Sequence, residues 1–189
     1  MRNFIFGIIA IIVLVLLCGF IVAHFGLMPT TADATPPQFE QDLATNALDA
    51  SMERHAPHIA NPVPITDENL IAGMKLYSMN CAVCHGTLDY NPSLLQHSMY
   101  PPPPQIILEP LDDPEWHLYY AVRTGVRYTG MPAWNKALSD EDIWKVTAFL
   151  SRLDNLPTAV QESWEQTYGV SPKSHQGGEH GHSMHEHHP

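Results

Sequence analysis

The first pattern along the chain is an uninterrupted apolar run from Phe4 to Ala23. These 20 residues include no charged side chain, and Ile, Val, Leu and Phe dominate them. As a helix the run rises about 30 Å, the thickness of the hydrocarbon core of a bilayer. Arg2 is the only charged residue before it, whereas Asp33 and Glu40 follow it. The positive-inside rule therefore predicts a cytoplasmic N-terminus, with the rest of the chain outside.

A cleaved signal peptide is the alternative interpretation of this run. Ala32-Asp33-Ala34 offers an A-x-A cleavage site. The run is longer than the ~7–15 apolar residues of an ordinary signal peptide, and the site lies far beyond its end. These lengths favour an uncleaved anchor over residues 1–28. We expect a single-pass protein of the inner (cytoplasmic) membrane, with its main domain in the periplasm or extracytoplasmic space.

Helical periodicity governs the middle of the chain. Thr66 is a predicted N-cap, and Asp113-Pro114-Glu115 begins a second helix with Pro at its first position and its end at Gly125. A third helix is predicted from Ser139. Apolar residues follow at helical spacing, namely Leu70, Ile71, Met74 and Tyr77 in the first helix and Ile143, Val146, Phe149, Leu150 and Leu153 in the last. Since no stretch alternates like a strand, an all-α domain is predicted over residues 66–156.

The flanks of this domain have a different composition. Residues 29–65 hold six prolines, which predicts a linker. A short helix is predicted within it near Phe39–Arg54, with Phe39, Leu43 and Ala47 on one side. Residues 157–189 are a predicted tail, His-rich from 175. Its imidazoles could bind divalent Cu, Ni or Zn weakly. The alternative is a soluble, disordered tail without a metal.

Charge and cysteine count narrow the class of protein. The formal net charge of −11 argues against nucleic acid as a partner, because nucleic-acid binding uses clustered Lys and Arg. Of the three cysteines, Cys81 and Cys84 form the one close pair, and Cys18 lies inside the apolar run. An odd count with one close pair does not describe a disulfide framework.

Cys81-Ala82-Val83-Cys84-His85 is the motif that carries chemistry. A C-x-x-C-H sequence is typical of covalent haem attachment. Positions three and four apart share one face of a helical turn, so two thiols can add to the haem vinyl groups while His85 faces the iron. A zinc site would need further ligands, and a thioredoxin-like pair would need a strand–helix context. We therefore predict one haem c per chain.

The second iron ligand must come from downstream of the motif. The candidates are Met99, Met131, His97 and His117. Met131 is favoured because Gly130 and Pro132 place it in a loop between the second and third helices. The stretch Pro101–Pro104 is either a stiff segment against the haem edge or a surface loop.

Residues 66–156 resemble a class I cytochrome c domain from membrane-bound bacterial electron-transport chains. The resemblance rests on Gly73-x-x-x-Tyr77, Cys81-Ala-Val-Cys-His85-Gly86, Thr129-Gly-Met131-Pro-Ala-Trp134 and a final helix with Trp144 and Phe149. It covers about half of the chain. It implies that the first and last helices cross at Gly73 against Phe149, and that His85 and Met131 are the axial ligands of the iron.

The resemblance implies electron transfer in a respiratory chain rather than enzyme catalysis, since two axial ligands leave no open position on the iron. The leading hypothesis is a tethered one-electron carrier with redox proteins as donor and acceptor. The alternative is a haem subunit of a larger membrane oxidoreductase. A haem sensor or peroxidase would require the Met131 bond to break easily.

Overall fold

The computed structural model describes residues 2–172, and in this range every regular element is helical. The elements are α1 (Arg2–His24), α2 (Gln38–His55), α3 (Asp67–Asn80), α4 (Ala82–His85), α5 (Glu115–Thr124), α6 (Asp140–Leu150) and α7 (Thr158–Tyr168), with short 3-10 turns at Trp134–Lys136 and Leu153–Asn155. The predicted all-α class is confirmed. The predicted metal-binding tail from 175 lies outside the described residues.

The chain divides into two units, one ending at Ala32 and the other beginning at Asp33. The first unit is built on α1, in which the stretch Asn3–His24 is 22 residues long and apolar enough to cross a membrane. None of this stretch is buried within the protein. A signal sequence near an N-terminus passes the same test of length and hydropathy as a membrane span, and α1 is thus a candidate membrane anchor.

The second unit is organised by the packing of α3 against α6, the most extensive helix pair among the described residues. Leu70, Met74 and Tyr77 on α3 are fully buried, as are Val146 and Phe149 on α6. The two backbones meet at Gly73, where an added Cβ would lie 2.0 Å from the carbonyl oxygen of Lys145 and 3.1 Å from Cβ of Phe149. The crossing at Gly73 is confirmed, and only glycine fits there.

The helix starts follow the sequence signals closely. The Thr66 side chain accepts a hydrogen bond from Asn69 N at 3.3 Å, and Ser139 Oγ accepts one from Asp142 N at 3.1 Å. Both predicted N-caps are confirmed. In α5 the prediction is one residue off, because Pro114 is itself the N-cap residue and Glu115 is the first helical position. The helix ends at Gly125, as predicted, with φ 68°.

The C-terminal boundary of the packed domain lies beyond the predicted one at Leu156. Helix α7 follows at Thr158–Tyr168, and its Val160 and Trp164 belong to the same hydrophobic core as Phe149. Trp164 Nε1 donates a hydrogen bond to Leu88 O at 2.9 Å. Residues 157–172 are therefore not a free tail. Two buried side chains one helical turn apart were too few to stand out in the sequence of a polar helix.

The predicted linker is also folded in part. Helix α2 matches the helix expected at Phe39–Arg54, but Phe39 and Leu43 are exposed, and the helix instead buries Met52 near its C-terminal end. Further along, Val63 is buried, and Asn61 Nδ2 donates to Glu115 Oε1 on α5 at 2.7 Å. The second half of residues 29–65 is thus held against the helical domain by specific hydrogen bonds.

We predict that Gly73→Ala destabilises the haem-loaded protein by about 3 kcal/mol or more, at or above the upper end of ordinary overpacking. The new methyl group meets a backbone carbonyl, so α3 and α6 must separate. The measurement is the denaturant midpoint followed by circular dichroism. Lys75→Ala, an exposed position on the same helix, is the control and should change stability little. Equal midpoints for the two variants would contradict the close crossing.

Candidate haem site

The residues Cys81, Cys84 and His85 lie on one helical turn at the end of α3. The backbone N–H groups of Cys84 and His85 both donate to Cys81 O, at 3.1 and 3.0 Å. This turn continues as α4 and ends at Gly86, whose φ of 91° suits glycine. The structure thus brings the three sequence-predicted residues together on one turn, with the spacing that covalent haem attachment requires.

The imidazole of His85 is fixed by the proline run. His85 Nδ1 lies 2.8 Å from Pro104 O. Because a carbonyl can only accept, Nδ1 carries the proton and donates it, and the lone pair of the neutral ring is on Nε2. Burial lowers the pKa of His85, and this effect exceeds the opposing influence of the Pro104 hydrogen bond. At neutral pH the ring is therefore an uncharged imidazole with Nδ1 oriented by a carbonyl, and its Nε2 could bind a metal.

The two thiols of the turn differ in environment. Cys81 is buried and Cys84 is half-buried. Burial raises the pKa of Cys81 to about 12, with a further contribution from the neighbouring Cys84. A thiol that stays protonated at neutral pH is unlike the low-pKa thiolate of a disulfide oxidoreductase. This environment disfavours the thioredoxin-like alternative.

A zinc site finds no support in the described part of the chain. Among residues 2–172 no group of three or more His, Cys, Asp or Glu side chains could hold a metal ion. The donor set at the turn is instead two thiols and one oriented neutral imidazole. This set fits a haem attached through thioethers, with His85 as the protein ligand to iron.

Three polar side chains hold the turn, and sequence reasoning did not assign a role to any of their polar groups. The hydroxyl of Tyr77 donates to the carbonyls of His85 and Gly86, at 3.0 and 2.8 Å. Burial raises the pKa of Tyr77, so this hydroxyl stays protonated as a donor. Ser93 Oγ donates to Val83 O at 2.5 Å, and Gln105 Nε2 donates to Cys84 O at 3.1 Å. No spacing rule connects Ser93 or Gln105 to the motif, because both reach it through tertiary contacts.

Met131 stands in a loop whose backbone is fixed on both sides. Met131 N donates to Thr129 Oγ1 at 3.0 Å, and Met131 O accepts from Val126 N at 3.2 Å. Beneath the loop, a Cβ on Gly125 would lie 2.8 Å from Met131 O, so glycine is required for this close packing. The Met131 side chain is half-buried against the cluster that contains Tyr119 and Trp144.

The other predicted candidates for the second iron ligand occupy different surroundings. His97 is exposed. His117 is buried on α5, where its Nδ1 lies 3.0 Å from Asp113 Oδ1 and its Nε2 has no hydrogen-bond partner. Met99 reaches the Met131 loop, since its Cε would be 1.8 Å from a Cβ on Gly130. Met99 and Met131 therefore adjoin the same loop from different parts of the sequence.

Comparison with known proteins agrees with this geometry. Residues 68–150 match the family model described as cytochrome c oxidase, cbb3-type, subunit III. No curated protein matches the chain. The matched segment begins in α3, contains the Cys81–His85 turn and the Met131 loop, and ends with α6. Residues 68–150 are thus a c-type cytochrome domain, a haem-binding domain whose chemistry is electron transfer.

Proposed function

We propose that this protein is a membrane-tethered one-electron carrier with a single haem c bound to Cys81 and Cys84. The observation that carries the proposal is the hydrogen bond from His85 Nδ1 to Pro104 O, directly beside the two thiols. A bound haem would supply an iron that alternates between the ferric and ferrous states. The protein holds that haem in place, supplies its ligands and limits access of water.

The supports of the turn suit a carrier, because electron transfer is fastest when the site changes little between oxidation states. Tyr77 and Gln105 hold the backbone around His85 by hydrogen bonds. We propose Met131 as the second axial ligand. The support is the loop around it, in which both Met131 N and Met131 O are hydrogen-bonded. His/Met ligation raises the reduction potential, since a thioether favours ferrous iron. A haem iron held by both His85 and Met131 would leave no open position for substrate.

We further propose that α1 anchors the protein and that Arg2 keeps the N-terminus cytoplasmic, so that the cytochrome domain works in the periplasm. The support is the length of the apolar stretch Asn3–His24 and the charge asymmetry across it. Redox proteins of the same membrane or compartment are then its donor and acceptor.

A second candidate function is a haem subunit of a larger membrane oxidoreductase. It is favoured by the family description, which names a subunit of an oxidase. Purification from native membranes in mild detergent distinguishes the two. A free monomer supports the carrier, whereas stable co-purification with a catalytic chain supports the subunit.

Covalent attachment is tested by removing the thiols. Cys81→Ser with Cys84→Ser should abolish haem staining on a denaturing gel, because no thioether can form. Cys18→Ser should stain like the unaltered protein, since Cys18 lies in α1. A pyridine haemochrome assay should give one haem per chain. If acid–acetone extracts the haem from the unaltered protein, the haem is not covalently bound and the proposal is wrong.

Met131→Ala should abolish the weak far-red absorption band of methionine bound to ferric iron. It should also lower the reduction potential by on the order of 0.1 V or more, within the ~0.8 V range that axial ligands cover. Met99→Ala is the matched control and should keep the band. If instead Met99→Ala removes the band and Met131→Ala keeps it, Met99 is the ligand.

Membrane attachment is tested by the mature mass and by extraction. An anchored chain stays in washed membranes through high salt and carbonate, because a spanning helix is not held by surface charge. Its intact mass should include α1. A mature chain that begins at Thr35 would refute the anchor and would indicate a soluble carrier with the same haem chemistry.

A further inference from the structure

Gln105 is buried directly after the proline run, and both the nitrogen and the oxygen of its side-chain amide form hydrogen bonds. Its side chain is 94% buried (6% exposed). Nε2 donates to Cys84 O at 3.1 Å and to Pro103 O at 2.9 Å, while Oε1 accepts from Ser93 N at 2.7 Å. The two partners of the nitrogen are carbonyls and the partner of the oxygen is an N–H group. Only one orientation of the amide satisfies all three.

The two hydrogen bonds that Gln105 Nε2 donates go to the residues next to His85 and Pro104. Cys84 is the residue before His85, and Pro103 is the residue before Pro104. One amide group therefore ties the backbone that carries the imidazole to the backbone that carries its carbonyl acceptor. The third bond, to Ser93 N, adds a link through Ser93 Oγ to Val83 O in the same turn.

The hydrogen bond to Pro104 O matters for the chemistry of iron as well as for geometry. An imidazole that donates its second N–H to an acceptor is a more basic ligand. A more basic ligand stabilises ferric iron over ferrous iron and so lowers the reduction potential. The distance between His85 Nδ1 and Pro104 O is thus a quantity that the protein can use to set the potential.

We propose that Gln105 is a positioning residue that sets this distance and thereby tunes the reduction potential of the haem. The proposal rests on the proposed function, because it takes His85 as the axial ligand. The hydrogen bonds of Gln105 go to backbone groups and not to the ring of His85. It acts through the two backbone segments to which it donates.

The test uses the full-length, haem-loaded protein and two variants, Gln105→Met and Gln105→Leu, which keep a bulky apolar side chain and lose all three hydrogen bonds. The control is Thr147→Val, which removes a buried hydrogen bond from Thr147 Oγ1 to Trp144 O on α6. The first readout is the midpoint potential, and the second is the exchange rate of the His85 Nδ1 proton by NMR. The far-red methionine band reports that the other ligand is intact.

Both Gln105 variants should shift the midpoint potential upwards and accelerate exchange of the His85 Nδ1 proton by about tenfold, the scale of losing one net hydrogen bond. Thr147→Val should change neither readout. Unchanged potential and exchange in the Gln105 variants would overturn the proposal. Loss of haem in both variants, with Thr147→Val loaded normally, would show an indispensable structural role and would also overturn it.

The failure of the proposed function has a different signature. In that case the unaltered protein itself would carry no thioether-bound haem. A normal haem with a protected His85 Nδ1 proton in the unaltered protein, combined with insensitive Gln105 variants, would refute the role of Gln105 alone.

Discussion

The close approach of α3 and α6 at Gly73 is the constraint on which the rest of the domain depends. The carbonyl of Lys145 takes the space where any side chain at position 73 would begin. The two helices can therefore bury their apolar faces against each other with little room between their backbones. Since α3 runs straight into the Cys81–His85 turn, the crossing also fixes where that turn lies. Helix α7 completes the same core through Trp164.

The Cys81–His85 turn is held mainly by hydrogen bonds of side chains and carbonyls with its backbone and with His85. Tyr77 reaches it from α3, whereas Pro104 at the end of the proline run and Gln105 directly after it reach it from the other side of the sequence motif. Two carbonyls of the run act as acceptors, since Pro104 O accepts from His85 Nδ1 and Pro103 O accepts from Gln105 Nε2. This explains why a proline-rich segment that looks like an ordinary loop lies at the centre of the site. It orients the imidazole of His85 through the carbonyl of Pro104.

Part of the segment between α1 and α3 packs on the cytochrome domain. Glu40 Oε1 accepts a hydrogen bond from Tyr100 OH at 2.6 Å, and the rings of His58 and Trp116 stack with centroids 3.9 Å apart. Together with the bonds of Asn61, these contacts make α2 and the following residues part of the second unit. A smaller part of residues 29–65 is therefore free of the domain than the proline content indicates.

The sequence by itself determined the all-α class, the helix starts at Thr66 and Ser139, the crossing at Gly73 and the helical turn that carries Cys81, Cys84 and His85. These features are local or periodic, because caps, amphipathic faces and the C-x-x-C-H spacing each lie within a few turns of chain. The tertiary structure decided the packing of α7 and of residues 52–63, the pairing of His85 with Pro104 and the three hydrogen bonds of Gln105. Each of these joins segments that are distant along the chain or uses a backbone carbonyl, which every residue has. The identity of a residue says nothing about where its carbonyl points, so only the folded chain could reveal which one orients the imidazole.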